Sequence, residues 1–130
     1  MGQQQLLLIV LGVILVGIAV VLGIQYFSVG AEQGAKDELV AHTLTIGSNA
    51  QEWFKKPVAM GGGGNTFVGF NTEFTTNQTG LMTSTNGTYT TSGEGATGIT
   101  ITGTPVLTDY QWTVVCTVTP TGMSTVITPN

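Results

Sequence analysis

Residues 6–24 read LLLIVLGVILVGIAVVLGI and carry no charged or polar side chain. Fifteen of these nineteen residues are Leu, Ile or Val, and the others are Gly and Ala. At about 1.5 Å rise per residue, a helix over this stretch is ~28 Å long, close to the thickness of a bilayer core. Each aliphatic residue favours insertion by about 0.3–0.6 kcal/mol. The stretch is therefore predicted to enter a membrane as a helix.

The residues on either side of this stretch argue against a cleaved secretory signal. The opening MGQQQ contains no Lys or Arg, and the apolar stretch exceeds the length of about 7–15 residues that is typical of a signal peptide. The continuation IQYFSVGAEQGAKDEL favours more helix instead of a cleavage site. A single-span anchor fits better, although it does not explain why the span begins so early or why glutamines precede it.

The sequence that follows predicts an amphipathic helix. Its less polar residues recur three to four positions apart, at Leu39/Val40, Thr43/Leu44, Ile46/Gly47, Ala50 and Trp53/Phe54. This period is that of a helix with one buried face. Pro57 and the glycines at 61–64 predict where the helix ends. One helix is expected, apolar on every face over residues 1–28 and amphipathic over residues 29–56.

After a Gly-rich connection at 57–65, the Thr- and Gly-rich residues 66–130 predict an antiparallel sheet of four to five strands. TFVGFNTEF at 66–74 predicts the first strand, and Asn86-Gly87 predicts a two-residue type I′ hairpin turn. GITITGTPVL at 98–107 predicts another strand. Alternation over 110–118 predicts a strand with one core face, and STVIT at 124–128 returns antiparallel to it. The expected fold is α+β, with the amphipathic helix half laid on the sheet.

The sequence offers no recognisable catalytic or cofactor-binding constellation, so neither an enzyme nor a cofactor is expected. Three basic residues against seven acidic ones leave no basic stripe for phosphates, and nucleic acid is not an expected partner. Cys116 is the only cysteine, which excludes an intrachain disulfide and predicts a small core side chain. His42 is the only histidine, and it is expected to be a solvated helix residue and not a metal ligand.

Two tripeptides match the acceptor pattern for N-linked glycans. They place candidate sites at Asn77 and Asn86. In a chain so rich in Thr such matches also arise by chance, and the predicted hairpin turn explains Asn86 equally well.

A long helix with an aliphatic front and an amphipathic back, followed by a Gly- and Thr-rich β region, resembles type IV pilins and their relatives. The glutamine opening, the aliphatic run and the AQEWFKKP...GGGG transition look similar to bacterial members. The resemblance implies that a prepilin peptidase removes a leader ending in Gly, and that the new amino terminus is methylated. It also implies that an assembly machinery moves subunits from the inner membrane into a helical filament.

The resemblance also implies roles for residues of the first helix half. Filament core and membrane anchor would be formed by the aliphatic residues Leu6, Leu7, Leu8, Val10, Leu11, Val13, Ile14, Ile18, Val21 and Leu22. An N-terminal assembly contact is implied at Met1 and Gln5, because pilins carry a Glu at mature position five that neutralises a neighbour's terminal amine. With Met1 as the mature start, Gln5 can bond that amine without cancelling its charge. If processing occurs after Gly2, the fifth residue is Leu7, which does neither.

The sequence therefore favours a structural subunit that polymerises with itself into an extracellular filament on the cell surface. A minor pseudopilin of a secretion or DNA-uptake system shares the architecture and remains an alternative. A single-span membrane protein that displays a small β-rich binding domain is a further one, and the sequence leaves a bacterial or an archaeal source open.

Overall fold

A computed structural model describes residues 2–129. Its two helices and four strands are α1 (Gly2–Lys55), α2 (Phe70–Asn77), β1 (Gly87–Ser92), β2 (Ile99–Pro105), β3 (Trp112–Thr119) and β4 (Gly122–Pro129). Short 3-10 helices lie at Val58–Met60 and Thr79–Leu81. The chain divides into two compact units, Met1–Gly34 and Ala35–Asn130. A long N-terminal helix with a four-stranded antiparallel sheet is an α+β, pilin-like architecture, so the predicted fold class is confirmed.

The four strands form an antiparallel meander in the order β1-β2-β3-β4. In its register Ile101 pairs with Cys116, and Cys116 pairs in turn with Thr125. The strands predicted at 98–107, 110–118 and 124–128 are confirmed as β2, β3 and β4, with ends that differ by a few residues. Alternate side chains of β3 are buried, as predicted, and Cys116 is one of them.

The second half of α1 supplies the other side of the core. Its buried residues are Ala35, Leu39, Thr43, Ile46, Gly47 and Ala50. They recur at helical spacing, so they form one stripe against the apolar face of the sheet. The predicted stripe is confirmed except at Leu44, which is 36% exposed. Thr43 belongs to this stripe although its side chain is polar. Its hydroxyl donates to the Val40 carbonyl at 2.8 Å, so the buried polar group has a partner within the helix.

Gly47 sets how closely the helix approaches the sheet. A Cβ atom there would lie 2.5 Å from Met123 Sδ and 3.0 Å from Val118 Cγ2. A side chain at position 47 would therefore have to displace Met123 or push α1 away from the turn between β3 and β4. Gln51, one helical turn further along, donates its side-chain amide to the Thr119 carbonyl at 2.9 Å and to the Gly122 carbonyl at 3.2 Å. The helix is thus held to this turn by close packing and by hydrogen bonds.

The glycine run after α1 forms the cap of the helix. Gly63 N–H donates to the Trp53 carbonyl at 2.8 Å, Gly64 N–H to the Lys56 carbonyl at 3.0 Å, and Asn65 N–H to the Phe54 carbonyl at 2.8 Å. These carbonyls do not receive the usual bond from the N–H four residues on, so the loop satisfies groups that every helix end leaves open. A Cβ on Gly63 would overlap the Trp53 ring. The predicted helix end is confirmed.

The strand predicted at 66–74 is wrong. This segment contains a turn followed by α2, whose Phe70 and Phe74 are buried one helical turn apart. The Glu94 carboxylate accepts bonds from Gly69 N–H at 3.1 Å and Asn71 N–H at 2.9 Å, which satisfies the first turn of α2. The acid that stabilises this helix start is distant in sequence, so the local pattern gave no sign of it.

The predicted type I′ turn at Asn86-Gly87 is also wrong. Neither residue has the positive φ that this turn needs. Gly87 instead begins β1 and is buried, and a Cβ there would lie 3.0 Å from both Leu39 Cδ1 and the Thr104 carbonyl oxygen. The close approach of β1 to the helix therefore favours glycine at this position. Asn86 donates its side-chain amide to the Glu38 carboxylate.

We expect Gly47→Leu to lower the free energy of unfolding of the unit Ala35–Asn130, here called the sheet unit, by about 1–3 kcal/mol. The reason is that the new side chain overpacks the helix-to-sheet contact. Gly34→Leu is the matched control, since no heavy atom lies within 4 Å of a Cβ at that position. Chemical denaturation of the full chain in detergent, followed by near-ultraviolet circular dichroism, measures both. Equal stability of the two variants would contradict the close approach.

Candidate assembly surface

The aliphatic stretch of α1 presents an uninterrupted apolar surface. All ten side chains predicted for the filament core and membrane anchor are exposed, from 46% at Leu22 to 68% at Leu7 and Val13. The remaining aliphatic side chains of the stretch are exposed as well. Soluble monomers rarely expose contiguous apolar patches larger than a few hundred Å². This surface therefore requires a cover of lipid or protein.

Polar and charged residues mark the carboxyl-terminal end of this surface. No charged side chain precedes Glu32, and the exposed Tyr26 lies two residues after the aliphatic stretch. Tyrosine is enriched where a membrane meets water, because its ring is apolar and its hydroxyl is polar. By length and composition, α1 is one helix able to cross a membrane. The apolar part of the predicted membrane helix is confirmed to this extent.

Two shallow grooves run along the aliphatic surface. The first is lined by Ile14, Gly17, Ile18, Val21 and Leu22, and the second by Gln3, Leu6, Leu7 and Val10. In the first groove Gly17 leaves a gap between larger aliphatic side chains, and no heavy atom lies within 4 Å of where its Cβ would be. Gaps of this kind accept a side chain of a second helix and let the two backbones approach. The surface suits helix packing as well as lipid.

Of the two residues predicted for the N-terminal assembly contact, the structure describes Gln5. Gln5 is exposed in the first turns of α1, and its amide is available to a partner. Met1 lies outside the described residues. No acidic side chain stands in the first turn of α1. A neighbour's amine at this end would therefore meet amide oxygens and not a carboxylate.

A second group of polar side chains lies at the boundary between α1 and β1, and the sequence did not predict it. The His42 ring stacks on the Tyr89 ring with centroids 4.1 Å apart, and His42 Nε2 lies 3.0 Å from the Leu81 carbonyl oxygen. The Tyr89 hydroxyl lies 2.9 Å from the Ser84 hydroxyl. His42 is half-buried, so its predicted solvation is wrong. The group joins helix to sheet through satisfied hydrogen bonds, which gives it a structural role.

The two candidate glycan sites lie in different surroundings. Asn77, at the end of α2, is exposed, and its amide donates to the Glu73 carboxylate at 2.7 Å. Asn86 is half-buried against Glu38. Both sites stay predictions. Between residues 2 and 129, no group of three or more His, Cys, Asp or Glu side chains is arranged to hold a metal ion.

Comparisons of the chain with protein-family models, curated proteins and solved structures found no match.

The Tyr89 phenol provides a pH test of the polar group. Burial raises its pKa above the usual value near 10.0, the Ser84 hydrogen bond acts in the opposite direction, and the Glu38 charge adds to the rise. The raised pKa stabilises the folded state fully below pH ~10, where the unfolded phenol is also neutral. That contribution is lost as the pH rises through the raised pKa.

We therefore expect Tyr89→Phe to weaken the alkaline fall of the unfolding free energy. Urea denaturation between pH ~8 and ~11.5 measures the slope for the parent chain and the variant. The matched control is Tyr26→Phe, because Tyr26 is 76% exposed. An unchanged slope in Tyr89→Phe would show that the burial of this phenol does not govern alkaline stability.

Proposed function

We propose that this chain is the structural subunit of a type IV pilus-like filament. The observation that carries the proposal is the exposed, uncharged aliphatic surface of residues 6–24 on a chain whose sheet unit has a separate core. Burial of that surface among copies of the same helix removes it from water, and the groove at Gly17 offers a place for a neighbour's side chain. The filament core would then consist of packed N-terminal helices.

Before assembly, the same surface would hold the subunit in the inner membrane. Lipid tails and aliphatic side chains are similarly apolar, so transfer from lipid to the filament exchanges one apolar environment for another. Little hydrophobic free energy then separates the two states. The direction of transfer would be set by an assembly machinery that uses chemical energy, and a prepilin peptidase would prepare the amino terminus. The finished filament would lie outside the cell, with the sheet units towards the medium.

A single-span membrane protein is the second candidate function. It is favoured by the same length and composition of α1, which suit a bilayer without any filament. In that case the unit from Ala35 onward would be displayed at the membrane surface as a monomer. A minor pseudopilin would differ from the proposed subunit only in how many copies enter the fibre.

We expect Leu11→Lys or Val16→Glu to abolish fibres. Both residues are more than half exposed within the aliphatic surface, and packing would place either new charge in a dry helix core. A central charge costs about 3 kcal/mol on insertion, less than the several kcal/mol that the other aliphatic residues contribute. Membrane insertion should therefore survive while assembly fails.

Electron microscopy of sheared surface material and membrane fractionation measure the two properties separately. Val106→Lys is a matched control because Val106 is 54% exposed in the loop after β2, outside the aliphatic surface. Fibres from Leu11→Lys as abundant as those of the parent chain would refute the packed core. A parent chain that yields only detergent-soluble monomers would favour the single-span membrane protein, and fibres containing few copies would favour the pseudopilin.

A further inference from the structure

Strand β4 is an edge of the sheet with open backbone groups. Thr119 and Gly122 pair across the two-residue turn between β3 and β4, and bonding residues alternate along an antiparallel pair. The backbone groups of Ser124, Val126 and Thr128 therefore face β3. Those of Met123, Thr125 and Ile127 point away from the sheet, and within residues 2–129 no other segment bonds to them.

The opposite edge of the sheet is covered. Tyr89 N–H of β1 donates to the Met82 carbonyl at 2.8 Å, and Thr83 forms an isolated bridge with Thr88. Near the other end of β1, the Thr91 hydroxyl bonds to Asn71 of α2 at 2.6 Å. Of the two edges, β4 is thus the one left available for pairing.

Strand β4 also lacks the features that normally prevent edge pairing. Its sequence GMSTVITP has no charged residue, and its proline comes at the last position. Natural sheet proteins protect long edges with lysine, internal proline, a bulge or a covering segment. Val126 is 59% exposed and Ile127 is 40% exposed, so apolar side chains stand along this edge as well. Strand β4 has the composition of an interface strand.

We propose that β4 pairs antiparallel with β4 of a second copy of this chain, with a two-fold axis at Thr125. An identical strand related by a two-fold axis is self-complementary, because every contact is made twice. Thr125 then faces Thr125 of the other copy as a hydrogen-bonded pair, and Met123 faces Ile127. All outward N–H and C=O groups of these three residues gain partners in this register.

The choice of a second copy as the partner rests on charge and side-chain fit. Self-pairing brings like charges together in any strand that carries them, and β4 carries none. The register also sets the flexible Met123 opposite the exposed Ile127, an apolar cross-strand pair. The two sheets would join into one continuous sheet. This inference concerns only the unit from Ala35 onward, so it does not rest on the filament proposal.

Cross-linking of the full chain in detergent micelles tests the register. The variant carries Thr125→Cys in a Cys116→Ala background, because Cys116 pairs with Thr125 within the sheet and would compete for the new thiol. In a hydrogen-bonded antiparallel pair the Cα atoms are about 5.5 Å apart, which a disulfide spans. Mild oxidation should give disulfide-linked dimers. The matched control is Thr90→Cys in the same background, an exposed position of β1, which should stay monomeric.

Amide hydrogen exchange by NMR in the same micelles tests the backbone bonds. The outward amides of Met123, Thr125 and Ile127 should exchange at least about tenfold more slowly in the concentrated chain than after dilution. Ile127→Lys should restore fast exchange at Met123 and Thr125. Continued protection of Ser124 and Val126 would show that the variant's own sheet is intact, and Val106→Lys should leave all these rates unchanged.

The outcomes separate this inference from the proposed function. Efficient linkage at Thr125→Cys together with slow outward exchange establishes the pair, including in a Leu11→Lys chain that forms no fibres. Outward amides that exchange equally fast at every concentration overturn it. Fibres from a chain without the β4 pair would leave the filament proposal standing alone.

Discussion

The structure depends first on a constraint of solvation: the aliphatic side chains of residues 6–24 cannot stay in water. These side chains are exposed in the single chain, and the core formed from Ala35 onward uses none of them. They require a cover of lipid or protein. The sheet unit meets the opposite requirement, because its own core is complete and its surface is rich in threonine. One helix thus contributes to two environments, and the change in side-chain pattern near Glu32 separates them.

Within the sheet unit, small residues determine how the helix meets the strands. Gly47 lets α1 approach Met123 and Val118, and Gly87 lets β1 approach Leu39. Stabilisation then comes from burial of aromatic and aliphatic side chains between the two layers. At the end of α1, Phe70 packs on Trp53 and Phe67 packs on Phe54. No disulfide closes the unit, since Cys116 is free and buried. Close packing and the glycine cap after Lys55 supply the restraint instead.

Much of this fold could be predicted from local sequence. The aliphatic run is a matter of composition, and the helical stripe and the alternation in β3 are periodic patterns; all three were confirmed, the stripe except at Leu44. Prediction failed where the deciding partner is distant in sequence: Glu94 satisfies the start of α2, and Leu39 packs closely against the glycine at position 87. The aliphatic surface was predictable from composition alone. The open edge at β4 was not, because which strand forms an edge depends on the pairing order of the whole sheet.

The aliphatic surface of α1 and the open edge of β4 differ in how specifically each can bind a partner. Hydrophobic contact between aliphatic surfaces is non-directional, so the same side chains can meet lipid or protein. A strand edge instead presents donors and acceptors at fixed spacing, and a slip of one residue moves every side chain to the other face. The first surface suits transfer between environments. The second suits one defined partner geometry, because its backbone groups bond only in register and Met123 meets Ile127 only there. Under the two proposals, the aliphatic helix surface would hold copies together and the strand edge would fix one lateral contact.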